Sequence, residues 1–238
     1  MAGAIAMDWR FVGFVNWPIA PNTLAPHVPD QLELDQYDDT AWLSMVPFTN
    51  RAVRPRGLPR RLGFALPELN LRTYVTHDDV PGVYFLSLDA DGILGVVGAR
   101  LFHHLPYYYA AIDLAVTDAT VAFTSQRRHP GSRPAKLQMN YRASGSRIES
   151  STDPLATFLT DRYRYYTEGQ DGTLRYADVQ HGPWPLYPAT VDIASNTLLA
   201  ANQLPMPTSA GPHFYSPGVD TIASSSRRLS SDGTGDHD

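Results

Sequence analysis

The sequence contains no cysteine, a single lysine, no long apolar run and no excess of basic charge. Without cysteine, the chain can form no disulfide, no cysteine–zinc site and no thiol nucleophile. No apolar stretch approaches the roughly 20 residues that span a bilayer, so we predict no membrane partner. A net charge of −5 argues against a nucleic-acid partner, because such binding needs a concentrated basic surface.

Lysine is nearly missing, since Lys136 is the one lysine among 19 basic residues. A mechanism that depends on a lysine amine therefore has one side-chain candidate. The first residues, MAGAIAMDWRF, lack a basic segment followed by a sustained apolar run and do not form a convincing signal peptide. We therefore expect a cytoplasmic protein without a cofactor, and leave open whether it forms a homo-oligomer.

The 20 prolines and 17 glycines are spread along the chain and divide it into many short segments, as in all-β or α+β folds. Alternating apolar and polar residues predict a first strand, three hairpins, a following strand and a proline-broken strand-like stretch. Between the first two hairpins, residues 50–63 form an arginine-rich loop. The predicted strands and hairpins cover residues 10–19, 32–48, 68–90, 110–128, 135–144 and 174–193.

Two segments carry apolar residues at helical spacing. We predict one helix over residues 92–104 and a second over residues 153–168, with Asp153 as its N-cap and Pro154 at its first position. The fold class is thus α+β, with a large antiparallel sheet curled toward a barrel and two main helices. Residues 1–223 form a single domain, and residues 224–238 read as a disordered tail.

The stretch PELNLRTYV, residues 67–75, has the most side chains that could take part in binding or catalysis. On a strand, Glu68, Asn70, Arg72 and Tyr74 share one face, because successive side chains point to opposite faces. This polar row either faces water or lines a pocket, and from the residues alone the solvent-facing strand is the simpler interpretation.

Several motifs, in this order, resemble the YqjF-like family of uncharacterised prokaryotic proteins. They are AWLSMVPF, RPRGLP, ELNLRTYV, PGVYFLSLDA, ARLFHHLPYYYA, FLTDRYRYY and HGPWPL. The resemblance covers roughly residues 8–222, and that family belongs to the acetoacetate decarboxylase-like superfamily. It implies an antiparallel β-cone or barrel with a central cavity and helices packed outside. It also places the polar row inside the cavity, with a counterpart for Glu68.

The resemblance leaves the superfamily's chemistry open. The decarboxylases form a Schiff base on a lysine within a pattern like G-R-x-x-x-G-x-P-K-K. In the similar stretch here, Arg100 and Pro106 have counterparts, whereas Tyr107 and Tyr108 replace both lysines. A phenol cannot form an imine, although one of the two could offer a hydrogen bond or act as a general acid in the cavity. Both tyrosines could equally be packing residues.

The other candidate residues could have structural roles instead of functional ones. Arg100 and Arg162 could bind an anionic ligand, but structural pairing is the simpler role; for Arg162 the partner could be Glu68. His181 and Trp184, in HGPWPL, could lie at a cavity mouth, although a histidine in this setting is more often structural. We predict no metal site, because the eight histidines show no usual ligand spacing.

Three hypotheses follow. Under the first, the chain binds a small anionic or oxygen-rich molecule, such as a keto or hydroxy acid, and transforms it with Glu68 and Tyr107 or Tyr108 as acid–base groups. The residues that bind the ligand are then Asn70, Arg72, Tyr74, Arg100, Arg162, His181 and Trp184. Under the second, the chain is a non-catalytic small-molecule binding or sensing protein. Under the third, it keeps Schiff-base chemistry through Lys136, although a solvated lysine is the simpler interpretation.

Overall fold

The computed structural model describes residues 4–92, 106–149, 152–169 and 171–229, and strands dominate it. Its helices are short: Pro21–Leu24, Pro154–Thr160 and Leu198–Ala201, with 3-10 turns at Ala25–His27 and Arg60–Leu62. No helix in these ranges is long and apolar enough to cross a membrane. The strands are β1 (Ile5–Ile19), β2 (Glu33–Leu34), β3 (Ala41–Pro55), β4 (Phe64–His77), β5 (Val80–Ala90), β6 (Tyr107–Thr117), β7 (Thr120–Arg127), β8 (Lys136–Ala143), β9 (Arg164–Glu168), β10 (Leu174–His181), β11 (Tyr187–Asn196), β12 (Phe214–Ala223) and β13 (Arg227–Arg228).

All these strands belong to one sheet that closes on itself in two places. Its order is β13-β10-β9-β5-β6-β7-β8-β11-β12-β1-β3-β4-β2, with further pairings of β4 with β5 and of β10 with β12. Strands β5, β4, β3, β1 and β12 therefore form a wall that two rings of strands share. One ring is completed by β9 and β10, and the other by β6, β7, β8 and β11.

The shared wall separates two interiors. One is a filled core that includes Leu69 and Leu71 of β4 together with side chains of β6, β7 and β8. The other lies on the side of β9, β10 and the Pro154–Thr160 helix, and includes Phe14, Phe48 and Trp184. Both faces of β4 are consequently buried, which explains why its polar row does not face water.

The second and third predicted hairpins are confirmed. Strands β4 and β5 turn at Asp78 and Asp79, and β6 and β7 turn at Asp118 and Ala119. All four turn residues have positive φ, as two-residue hairpin loops of the favoured type require. The predicted first strand, the strand over 135–144 and the strand-like stretch over 174–193 are also present as β1, β8 and the pair β10 and β11.

The first hairpin prediction is wrong in its pairing. A turn does form at Asp38 and Asp39, closed by a bridge between Tyr37 and Thr40. The strand before it, β2, nevertheless pairs with β4 and not with β3. The predicted arginine-rich loop is also shorter than expected, because β3 continues to Pro55 and β4 begins at Phe64.

The predicted helix over 153–168 is correct only in its first half. Asp153 Oδ1 accepts a hydrogen bond from the Ala156 amide at 2.9 Å, and the helix ends at Thr160. Residues 164–168 form strand β9, which pairs with β10 and β5. The run of tyrosines there favours a pleated, half-buried strand, and the available pairing partners override the helical spacing. Arg162 and Tyr166 therefore do not share a helical face.

Two other predictions fall partly or wholly on residues that the structure does not describe. The helix over 92–104 lies outside the described residues except for Gly92, and so does Arg100. Of the predicted tail, residues 224–229 are described, and Arg227–Arg228 within it pair with β10.

Candidate functional site

The second interior encloses a cavity of about 590 Å³. Side chains from β1, β3, β4, β5, β9 and β10 line it, together with residues that follow the Pro154–Thr160 helix, and most of them are apolar. The lining side chains with amide, hydroxyl or ionisable groups are Asn50, Arg54, Glu68, Asn70, Arg72, Tyr107, Thr160, Arg162, Arg164, Tyr165 and His181.

The polar row of β4 points into this cavity over most of its length. Glu68, Asn70 and Arg72 all line it. Tyr74, the fourth member, is fully buried beyond the lining: its hydroxyl donates to the Leu159 carbonyl at 2.7 Å and lies 2.6 Å from Ser44 Oγ. Tyr74 thus anchors the end of the helix to the sheet and does not face the cavity.

Glu68 is held by two donors from different strands. Its Oε1 accepts from Asn50 Nδ2 at 2.5 Å, and its Oε2 accepts from the Tyr107 hydroxyl at 3.0 Å. Burial raises the pKa of Glu68 to about 8, although both hydrogen bonds lower it. At neutral pH the carboxyl group therefore keeps its proton in most molecules, which makes it a hydrogen-bond donor as well as an acceptor.

The two tyrosines at the lysine positions have different surroundings. Tyr107 pairs with Leu88 of β5 and lines the cavity, and burial, with Glu68 as a further cause, raises its pKa well above the ordinary value. Tyr108 does not line the cavity; its ring lies 4.0 Å from the Arg127 guanidinium and contacts His129. The adjacent positions alternate across the strand, so only one phenol reaches the cavity.

Arg72 differs from the other cavity arginines because no carboxylate of the described residues lies within 4 Å of its guanidinium. Its Nη2 donates to the Leu159 carbonyl at 3.2 Å, its buried Nε has no hydrogen-bond partner in the described part, and it lies over the Phe14 ring at 5.6 Å. It makes no ion pair with Glu68, which the strand geometry explains: four residues at about 3.3 Å each separate their Cα atoms by about 13 Å.

The remaining arginines of the described lining each lie within 4 Å of an aspartate, although Arg54 shares Asp8 with the closer Arg60. The guanidinium–carboxylate distance is 3.8 Å for Arg54 and Asp8, 2.5 Å for Arg162 and Asp35, and 2.7 Å for Arg164 and Asp178. The predicted pairing of Arg162 with Glu68 is therefore wrong. Arg162 follows the end of the helix, where its Nε also donates to the Phe158 carbonyl at 2.8 Å, and this directs the guanidinium toward Asp35.

His181 and Trp184 lie beside Arg72 in the lining, as part of an aromatic cluster. The His181 ring is 4.8 Å from the Trp184 ring, and Trp184 stacks on Trp9 at 5.8 Å. Trp184 Nε1 donates to the Thr160 carbonyl at 3.1 Å, which gives this tryptophan a structural task as well. Burial lowers the pKa of His181, and this outweighs the hydrogen bond with the Gly182 carbonyl and the charge of Asp161, which raise it; the charge of Arg72 lowers it further.

Lys136 lies away from the cavity. It is exposed at the start of β8, on a face shared with Gln138, Asn140 and Arg142, and it is not among the lining residues. This position gives no support to a Schiff base on Lys136. Among the described residues, no group of three histidine, aspartate or glutamate side chains could hold a metal ion.

Sequence reasoning missed Asn50, Arg164 and Tyr165. Asn50 could have been found, because Val46, Phe48 and Asn50 alternate along β3 and register opposite Asn70, Glu68 and Leu66 of β4. Arg164 and Tyr165 were hidden by the helix prediction, which extended the helix over residues that form strand β9.

Comparison with known proteins agrees with this architecture. Residues 6–220 match the family model DUF2071, described as "Uncharacterized conserved protein". The chain is 42% identical over 202 residues to uncharacterized protein YqjF of Bacillus subtilis, which covers 84% of this chain and 82% of that protein.

Solved structures give the same picture of the fold. Acetoacetate decarboxylase from Legionella pneumophila superposes with a TM-score of 0.67 at 12% identity, covering 96% of this chain and 88% of that one. The enduracididine biosynthesis enzyme MppR, solved with pyruvate bound, superposes with a TM-score of 0.66 at 12% identity, covering 97% of this chain and 91% of that one. The fold is thus acetoacetate decarboxylase-like, as the sequence motifs implied.

Proposed function

The chain belongs to the DUF2071 family, which includes YqjF, and from this membership and the cavity geometry we propose that it binds a small carboxylic acid and exchanges a proton with it through Glu68. The observation that carries the proposal is that one largely apolar cavity contains both a positively charged side chain and a neutral acid. Arg72 has a charge with no carboxylate partner among the described residues, and Glu68 is a carboxyl group that stays neutral in most molecules at pH 7.

Arg72 provides the recognition element. A guanidinium in a largely apolar lining gains most from an anionic partner, and a carboxylate matches its planar donors. Of the other arginines in the described lining, Arg162 and Arg164 each have an aspartate of their own and Arg54 shares Asp8 with Arg60, so they contribute less to net attraction of an anion. That MppR was solved with pyruvate, on the same fold, supports a carboxylate as the ligand.

Glu68 provides the chemistry. With a pKa of about 8, Glu68 is ionised in a minor fraction of molecules near neutral pH. This carboxylate can take a hydrogen from the carbon next to an oxo group of the ligand, which leaves an enolate, and the protonated carboxyl group then returns a hydrogen to that carbon. When Glu68 loses the proton, the donors on Asn50 and Tyr107 stabilise the carboxylate that forms. No lysine is needed for such a step, in accord with a cavity whose described lining contains none.

Calorimetric titration with 2-oxohexanoate tests the binding part. We expect Arg72→Met to weaken binding at least tenfold, whereas Arg164→Met, which removes a cavity arginine already paired with Asp178, changes it less than threefold. Equal affinity for the wild type and Arg72→Met would refute the anion site.

Proton exchange is tested separately. In D2O, the wild type should accelerate loss of the hydrogens next to the oxo group of 7-oxooctanoate, whose oxo group is well separated from its carboxylate, and Glu68→Gln should abolish this while binding persists. Binding without any exchange by the wild type would favour the non-catalytic alternative, a binding or sensing protein.

A further inference from the structure

Strand β4 runs along the cavity from one end to the other. Alternate residues Phe64, Leu66, Glu68, Asn70 and Arg72 all belong to the lining. At about 3.3 Å per residue, the Cα atoms of Phe64 and Arg72 are about 26 Å apart, with Glu68 midway between them. The cavity is therefore elongated along this strand, and Arg72 and Glu68 occupy different levels of it.

The chemical character of the lining changes along that length. At the level of Phe64, the neighbouring strands contribute Val53, Ile5 and Pro55, with Arg54 as the one charged side chain among the described lining residues there, 3.8 Å from Asp8. Phe64 is 50% exposed, so this end reaches the surface of the described part of the chain. Toward Arg72, the lining gains the Thr160 hydroxyl and the charged or polar groups described above.

The size of the cavity does not suit a very small acid. About 590 Å³ falls in the range of roughly 300–1,000 Å³ that holds drug-sized ligands, and a three-carbon acid would leave most of it empty.

We infer that the ligand is an elongated acid, with its carboxylate at Arg72, a hydrocarbon body along β4 toward Phe64, and an oxo or hydroxyl group where it passes Glu68 and Tyr107. This inference rests on the proposed function and deepens it from a small carboxylic acid to a medium-chain oxo or hydroxy acid. The apolar walls bind the body, and the polar groups at two levels set its direction.

Titration with straight-chain carboxylates tests the inference without knowledge of the natural ligand. Butanoate, hexanoate, octanoate and decanoate, each kept below its micelle concentration, are compared by calorimetry. Each methylene that moves from water into an apolar site should tighten binding about fourfold, so each step of two carbons should do so about fifteenfold. Octanol, which has the same body without the charge, should bind far more weakly than octanoate.

Variants place the hydrocarbon body. Phe64→Ser at the exposed end should weaken binding of the longer acid tetradecanoate several-fold and leave butanoate unchanged, while Leu62→Ser, an exposed residue of the neighbouring turn that does not line the cavity, should change neither. Leu66→Trp should shorten the cavity and affect tetradecanoate more strongly; because Leu66 is buried, its thermal unfolding is compared with that of the wild type first.

The outcomes separate this inference from the function on which it rests. Equal affinities for all chain lengths, with Arg72→Met still weakening each of them, would overturn the elongated ligand and leave the carboxylate site standing. Affinity that rises with chain length but is unaffected by Arg72→Met, with octanol binding as well as octanoate, would overturn the carboxylate site and this inference together.

Discussion

Glu68 makes the stability of this protein depend on pH in a direction opposite to that of most carboxylates. Its pKa is raised from 4.5 to about 8 in the folded chain. Between these two values the folded protein holds a proton that the unfolded chain releases, so the free energy of unfolding falls as pH rises. The full effect is present below pH 4.5 and is lost as pH passes through 8.

The magnitude follows from the same two values. Each pH unit inside this window removes about 1.4 kcal/mol, and the slope flattens near pH 8. Between pH 6 and pH 8 the loss is about 2 kcal/mol, a sizeable part of the roughly 5–15 kcal/mol that stabilises a typical domain.

Glu68→Gln isolates this contribution. Glutamine has nearly the shape of a protonated glutamate and can keep hydrogen bonds to Asn50 and Tyr107, but it cannot ionise. Urea unfolding of both proteins at pH 6, 7 and 8 should show the wild type losing about 2 kcal/mol relative to Glu68→Gln. Glu33→Gln, which changes an exposed glutamate, should follow the wild type. Parallel curves for the wild type and Glu68→Gln would refute the neutral, buried carboxyl group.

Three further predictions concern individual side chains. Arg127→Met should lower the free energy of unfolding by about 3–5 kcal/mol, because it leaves the buried carboxylate of Asp89 without its partner at 2.7 Å; wild-type stability in urea unfolding would contradict this. Tyr107→Phe removes a donor that lowers the pKa of Glu68, so the apparent midpoint for Glu68 should rise, measured by carboxyl-carbon NMR. Borohydride treatment with acetoacetate should leave Lys136 unmodified, and a substrate-dependent adduct there in peptide mass spectrometry would revive Schiff-base chemistry.

The local strand patterns were predictable, whereas the partners of the strands were not. Alternation and two-residue turns define β4, β5, β6 and β7 from the sequence, because these signals come from neighbouring residues. The pairing of β2 with β4, and of β5 with both β6 and β9, depends on how the sheet closes on itself. Patterns among neighbouring residues do not indicate which distant strands will pair. The same holds for β9, where sheet pairing overrode a helical pattern.

The candidate site was likewise predictable in its local pattern but not in the contacts between its strands. The polar row of β4 was visible as a pattern, and the family motifs indicated that Glu68, Asn70 and Arg72 lie inside. That Arg72 has no carboxylate partner, and that Asn50 joins Tyr107 on Glu68, are properties of contacts between strands. These contacts also determine the chemistry of the cavity, because they decide which arginine charge is left uncompensated and whether Glu68 holds a proton.

A crystal structure of the protein with 7-oxooctanoate tests the central claim most directly. We predict that the carboxylate lies within hydrogen-bond distance of the Arg72 guanidinium and that the hydrocarbon body follows β4 toward Phe64. An acid bound elsewhere, or in the cavity with its carboxylate away from Arg72, would contradict the account.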